Sequence, residues 1–95
     1  MTMEKQWILY ILECGDGSLY TGITDDLARR LSAHRSGKGA KYTRGRGPLT
    51  LRYTEVCANH SAALRREFEV KGLPRQRKLQ ICDTNVADNI EENEE

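Results

Sequence analysis

Residues 8–34 read ILYILECGDGSLYTGITDDLARRLSAH, and the way this stretch folds back on itself decides the architecture. From Trp7 to Leu12 it is apolar without alternation, as expected of a strand covered on both faces. Gly15-Asp16-Gly17 has turn chemistry, and Leu19–Thr24 (LYTGIT) reads as the returning strand. Loop length then fixes which side chains share a face. A two-residue turn on Asp16-Gly17 would put Tyr10 and Tyr20 on opposite faces of the sheet. A three-residue loop, Gly15-Asp16-Gly17, would put them on the same face. The sequence permits both, and three-residue hairpin loops with glycine in the left-handed position are common. Thr24, Asp25 or Asp26 can cap a helix running to about Ser36 and stopping at Gly37, with Leu27, Ala28 and Leu31 expected to be buried.

Beyond it, Gly37–Pro48 (GKGAKYTRGRGP) is a basic, glycine-rich loop whose residue order does not fit a P-loop. Leu49, Leu51 and Tyr53 alternate with Thr50, Arg52 and Thr54, which predicts a third strand, 49–57, with one wetter face. Asn59 or Ser61 can cap a second helix through about Lys71, with Leu64 and Phe68 one turn apart on its expected buried side. Gly72 ends that helix, and Pro74 opens a short basic one to about Ile81. The order β-β-α-β-α-α does not suit a parallel βαβ sheet. It predicts an α+β fold, an α/β sandwich of a small antiparallel sheet and packed helices, with strand 7–13 central.

Ninety-five residues make one domain, here expected over 1–82, followed by an acidic, disordered tail over 83–95. The net charge of +1 hides an asymmetry. The last thirteen residues hold six acids and no base, so residues 1–82 carry a net +7. Between Arg29 and Arg52 there are eight Lys or Arg and no acid. Such a run is often only a solvated face. Its unbroken single sign points to a polyanion, with Arg29, Arg35, Lys38, Lys41, Arg44 and Arg46 as candidate phosphate contacts. No apolar run approaches the length of a membrane span, and no leader with a cleavage site is evident, so a cytoplasmic protein is expected. Cys14, Cys57 and Cys82 lack C-x-x-C spacing, which argues for reduced thiols rather than structural zinc.

Several side chains could do chemistry. Paired tyrosines in a strand pair usually pack, and a lone arginine or glutamate at a helix margin is usually a surface residue. Taken together, Tyr10, Tyr20, Arg30, His34 and Glu67 form a set suited to phosphodiester cleavage: a proton acceptor, a cation for the phosphate and a carboxylate for a metal. Arg30 and His34 are four apart, hence on one helix face. Ile8-Leu9-Tyr10 and Tyr20-Thr21-Gly22, with Arg30 ten residues beyond Tyr20, resemble the GIY-YIG nuclease domain. Ala63-Leu64-Arg65-Arg66-Glu67 resembles that family's later helix with its single acid. The stretch HRSGKGAKYTRGRGPLTLRY resembles short single-domain bacterial members of uncharacterised function. The likeness spans about residues 6–81.

That resemblance implies a three-stranded antiparallel sheet with flanking helices and metal-dependent cleavage of a nucleic-acid backbone, DNA favoured. Tyr10 and Tyr20 would be the phenols, Arg30 the phosphate cation, Glu67 the ligand of Mg²⁺ or Mn²⁺, and His34 a further active-site residue. A free phenol ionises only near pH ~10, so a base role would need cations close by. With no attached DNA-binding domain, specificity would come from substrate structure or from a protein partner. Two other readings stay open: a nucleic-acid-binding module without turnover, and an adaptor whose acidic tail docks on a basic partner.

Overall fold

The structure, a computed structural model, describes residues 6–83. Its elements are β1 (Trp7–Glu13), β2 (Leu19–Thr24), α1 (Leu27–Arg35), a 3₁₀ turn (Lys41–Thr43), β3 (Thr50–Cys57) and α2 (His60–Lys71). A third helix, α3, covers 75–83. The disordered acidic tail expected over 83–95 lies, past Asp83, outside the described residues. The three strands form one antiparallel sheet in the order β2-β1-β3. The strand without alternation is central, because only a central strand buries both faces: Leu9, Tyr10, Ile11 and Leu12 are all fully buried.

Leu9 and Ile11 face one side, where Val70 of α2 and Cys82 of α3 complete the core and Leu19, Ile23, Tyr53 and Cys57 pack against it. The third strand does not keep simple alternation. Ile11 pairs with Tyr53 but Leu12 with Leu51, so Arg52 is an extra residue in a β-bulge. The bulge sends Leu51 and Tyr53 to opposite faces, correcting the expected single wet face. It also aims Arg52 at Glu13 and, at 3.6 Å, at Asp83 of α3.

Both long helices are capped as their sequences predict. Asp26, among the three candidates, accepts from Arg29 N–H, and Asn59 accepts from Ala62 N–H. Which faces they bury differs from expectation. On α1 the fully buried side chain is His34; Leu27 and Leu31 are half-buried, and Ala28 is exposed. On α2, Leu64 is 47% and Phe68 82% exposed, while Ala63 and Val70 are buried. Polar anchoring sets this rotation. Arg66 Nε donates to both carboxylate oxygens of Glu55 on β3, at 3.0 and 3.2 Å. His60 stacks on Trp7 of β1 with ring centroids 4.2 Å apart. The stripe Ala63–Arg66–Glu67–Val70 therefore faces the sheet, and Glu67 is carried inward with it.

Candidate active site

The hairpin turns on three residues. Cys14 N–H donates to Ser18 O and Gly17 N–H to Cys14 O, each at 2.8 Å, with Gly17 at φ 87° where only glycine sits without strain. The register that follows pairs Tyr10 with Gly22 and Leu12 with Tyr20. Tyr10 and Tyr20 thus share the face of the sheet opposite the apolar core. Gly22 makes room for them. A methyl group there would lie 2.7 Å from the Tyr10 hydroxyl and 3.0 Å from the Tyr20 ring.

Helix α1 delivers Arg30 and His34 to the same face. Arg30 Nε donates to the Tyr10 hydroxyl oxygen at 3.3 Å. His34 Nε2 lies 2.8 Å from that hydroxyl, and Nδ1 lies 2.9 Å from Thr43 Oγ1, whose own proton goes to Ala40 O at 3.0 Å. Gly39 closes over the imidazole, where a methyl group would come within 2.5 Å of Nδ1. Four of the five expected side chains are therefore gathered in one cluster.

Burial divides this cluster. Tyr10, His34 and Thr43 are all 2% exposed or less, whereas Tyr20 and Arg30 are half-exposed. Burial, more than any charge, pushes the Tyr10 phenol above its ordinary value, and the Arg30 hydrogen bond offsets this only in part. So Arg30 does not turn Tyr10 into a phenolate. Burial, and then the nearby Arg30 charge, lowers His34 below the usual imidazole value. Arg30 itself is held firmly protonated, first by its bond to Tyr10 and also by Tyr20. At neutral pH the buried phenol of Tyr10 and the imidazole of His34 are therefore neutral beside the Arg30 guanidinium.

Glu67 approaches from α2. Its side chain is 19% exposed and accepts from Lys71 at 3.2 Å. Its charge reaches the Tyr10 hydroxyl and adds to the forces raising that phenol. Among the described residues no ion pair joins Glu67 to Arg30, so the two are not a bridge holding the fold together.

The six candidate phosphate contacts fall into two groups. Arg29, Lys38, Lys41 and Arg44 are exposed, and no hydrogen bond or ion pair engages their side chains among the described residues. Arg35 instead donates to Leu49 O at 3.4 Å. Arg46 pairs with Asp16 at 2.8 Å, and its guanidinium lies 4.5 Å above the Tyr42 ring, which in turn packs against Tyr20. Arg46 pins the basic loop to the hairpin turn. Thr43, Gly39 and Tyr42 have no periodicity or spacing to mark them; only the folded loop brings them to the site. Gly22 did carry a signal, as the last residue of the second tripeptide.

Comparison with known proteins agrees with this geometry. A profile of the GIY-YIG catalytic domain matches residues 6–80. A UPF0213 protein of Oceanobacillus iheyensis is 49% identical over 81 residues, covering 85% of this chain and 94% of its own. One from Halobacterium salinarum is 53% identical over 70 residues, covering 74% and 91%. The solution NMR structure of a UPF0213 protein from Bacillus halodurans superposes with a TM-score of 0.55 at 52% identity, over 83% of this chain and 84% of that one. A protein from E. faecalis, also solved by NMR, gives 0.62 at 39%, over 92% and 93%. With the match spanning both tyrosine strands, the arginine helix and the glutamate helix, this chain belongs to the GIY-YIG catalytic-domain family.

Proposed function

We propose that the protein is a metal-dependent endonuclease that hydrolyses nucleic-acid phosphodiester bonds, DNA favoured, in DNA repair or processing. The observation that carries this reading is Arg30, fixed by a buried phenol yet half-exposed beside Tyr20, with the Glu67 charge in reach of that phenol. The residues present fit a Mg²⁺ or Mn²⁺ held by one protein carboxylate, Glu67, with water and substrate phosphate oxygens as its other ligands. Among the described residues no cluster of three or more His, Cys, Asp or Glu offers a protein-only cage. Such an ion, when bound, supplies Lewis-acid stabilisation of the leaving oxygen.

The chain's own residues supply the rest. Tyr20, the half-exposed phenol, acts as the base in its phenolate form, beside the Arg30 charge that favours that form, and returns to the phenol on taking a proton from the attacking water. Arg30 donates to the phosphoryl oxygens as charge builds on phosphorus. Tyr10 and His34, both buried, act through Arg30 by holding it in place. The exposed Arg29, Lys38, Lys41 and Arg44 steer and retain the polyanion without reading its sequence.

Those exposed cations also suit a binding module without turnover, so the test must separate the two. Purified protein is offered a panel of DNA and RNA structures with Mg²⁺, Mn²⁺ or EDTA. Cleavage that needs the divalent ion and disappears in Glu67→Ala, while binding persists, supports the nuclease. Salt-sensitive binding with no cleavage under any divalent ion leaves the module. Replacing Lys38, Lys41 and Arg44 together should weaken binding and flatten its salt dependence.

A further inference from the structure

We infer that Thr43, a buried loop residue, is a positioning residue that selects one tautomer of His34 and thereby fixes the orientation of Arg30.

The argument is an accounting of donors along one buried chain. Arg30 Nε can only donate, so the Tyr10 oxygen accepts from it. The Tyr10 proton then needs an acceptor, and the group at 2.8 Å is His34 Nε2. Nε2 must be unprotonated to accept, which puts the ring proton of neutral His34 on Nδ1. That proton needs its own acceptor, and Thr43 Oγ1 lies 2.9 Å away. Oγ1 can accept there because its hydroxyl proton is already committed to Ala40 O. Every group in the chain has one partner of the right kind. The opposite tautomer fails at both ends. Protonated Nε2 would occupy the Tyr10 oxygen and turn the phenol proton toward Arg30, donor against donor. Nδ1 would then compete with Ala40 O for the one Thr43 proton.

The loop is built to hold this hydroxyl still. Thr43 sits in the 3₁₀ turn Lys41–Thr43, and Thr43 N–H also donates to Ala40 O at 3.2 Å. Arg46 N–H donates to Thr43 O, while the Arg46 side chain is anchored on Asp16 of the hairpin. The same hairpin turn that aligns the tyrosines therefore also anchors the turn that sets the imidazole. Fixed in this way, His34 does for Arg30 what hydrogen-bonded outer partners do for metal-ligating histidines elsewhere, where their loss costs on the order of 10- to 100-fold in affinity or activity.

The consequence for rate rests on the nuclease reading; the tautomer does not. Two-bond ¹H–¹⁵N correlation spectra of the full chain at pH 7 report which nitrogen of His34 carries the proton, and the Arg30 Nε–H resonance reports its hydrogen bond. Wild type should show the Nδ1–H form and a protected Arg30 Nε–H. Thr43→Val keeps the shape but removes the acceptor; it should lose the pure Nδ1–H signature and the Arg30 protection, and slow cleavage about 10- to 100-fold. Thr43→Ser should restore all three. Wild-type His34 in the Nε2–H form, or an Nδ1–H form unchanged in Thr43→Val, overturns the inference. So does a serine variant that behaves like the valine one. If the wild type never cleaves nucleic acid but the spectra behave as described, the nuclease reading fails and the tautomer assignment stands.

Discussion

Leu9 and Ile11 point to one side of β1 and Tyr10 to the other, and all three are fully buried. What surrounds them differs in kind. Leu9 and Ile11 meet Val70, Cys82 and a rim of apolar side chains, so non-directional burial holds that side together. Tyr10 meets an imidazole and a guanidinium in a chain of directed hydrogen bonds that runs out to a half-exposed arginine. An apolar face tolerates small shifts and loses stability in proportion to lost area. A polar face of this type loses its orientation when one donor or acceptor is removed. One strand of seven residues thus carries the core on one side and the chemistry on the other.

The largest stability effect should come from the apolar side. Ile11→Ala removes fully buried surface and leaves a cavity, so chemical denaturation should show a loss of about 2–5 kcal/mol. Next is Tyr10→Phe, nearly isosteric, which strands His34 Nε2 and frees Arg30. It should cost about 1–3 kcal/mol in the same measurement and nearly all cleavage in the nuclease assay, separating the two faces by their ratio of effects.

A smaller effect comes from pH. His34 is packed among Arg30, Tyr10, Tyr20 and Thr43, and it titrates below its ordinary value of 6.5. A lowered folded value means that the neutral form is favoured in the native state. His34 therefore adds stability that is present above pH 6.5 and is lost as the pH falls toward the folded value. The protonated ring would donate from Nε2 and displace the Tyr10 proton, so the loss of kcat/KM that His34 causes should set in only below pH 6.5. A loss traced to His34 that sets in already above pH 7 would contradict this account.

How far the sequence reaches follows the same division. The central strand, the hairpin and the capped helices follow from local patterns, because apolar runs, turn residues and helical spacing are local properties; the grouping of Tyr10, Tyr20, Arg30 and His34 came only with the family resemblance. The loop length between the tyrosines stayed open until hydrogen bonds showed three residues rather than two. The buried side of α2 was misread because Leu64 and Phe68 outweigh Ala63 and Val70 in hydrophobicity. The Arg66–Glu55 bond and the Trp7–His60 stack that set the rotation are long-range. The pair between Arg46 and Asp16, thirty residues earlier, is long-range in the same way and no local pattern marks it. Arg52 shifted the register of β3 through a bulge that no alternation rule foresees.

The smallest expected effect is on Thr21, which faces the apolar side from β2. Its buried hydroxyl has no hydrogen-bond partner among the described residues. Thr21→Val replaces an unsatisfied hydroxyl with a methyl group, so denaturation should show no loss, and a gain of up to ~1 kcal/mol. A clear destabilisation would mean that the apolar side, too, depends on a directed bond.

The central claim, that the polar face serves chemistry and the apolar face stability, is tested most directly by melting and metal-dependent cleavage measured together on Arg30→Ala. Arg30 is half-exposed, and its hydrogen bond is to a phenol that keeps His34 as a second partner. The variant should melt within a few degrees of wild type, about 1 kcal/mol or less in stability, while cleavage falls at least 100-fold, roughly 2.7 kcal/mol of lost transition-state stabilisation. An Arg30→Ala protein that cleaves as well as wild type, or one that unfolds before it can be assayed, would contradict it.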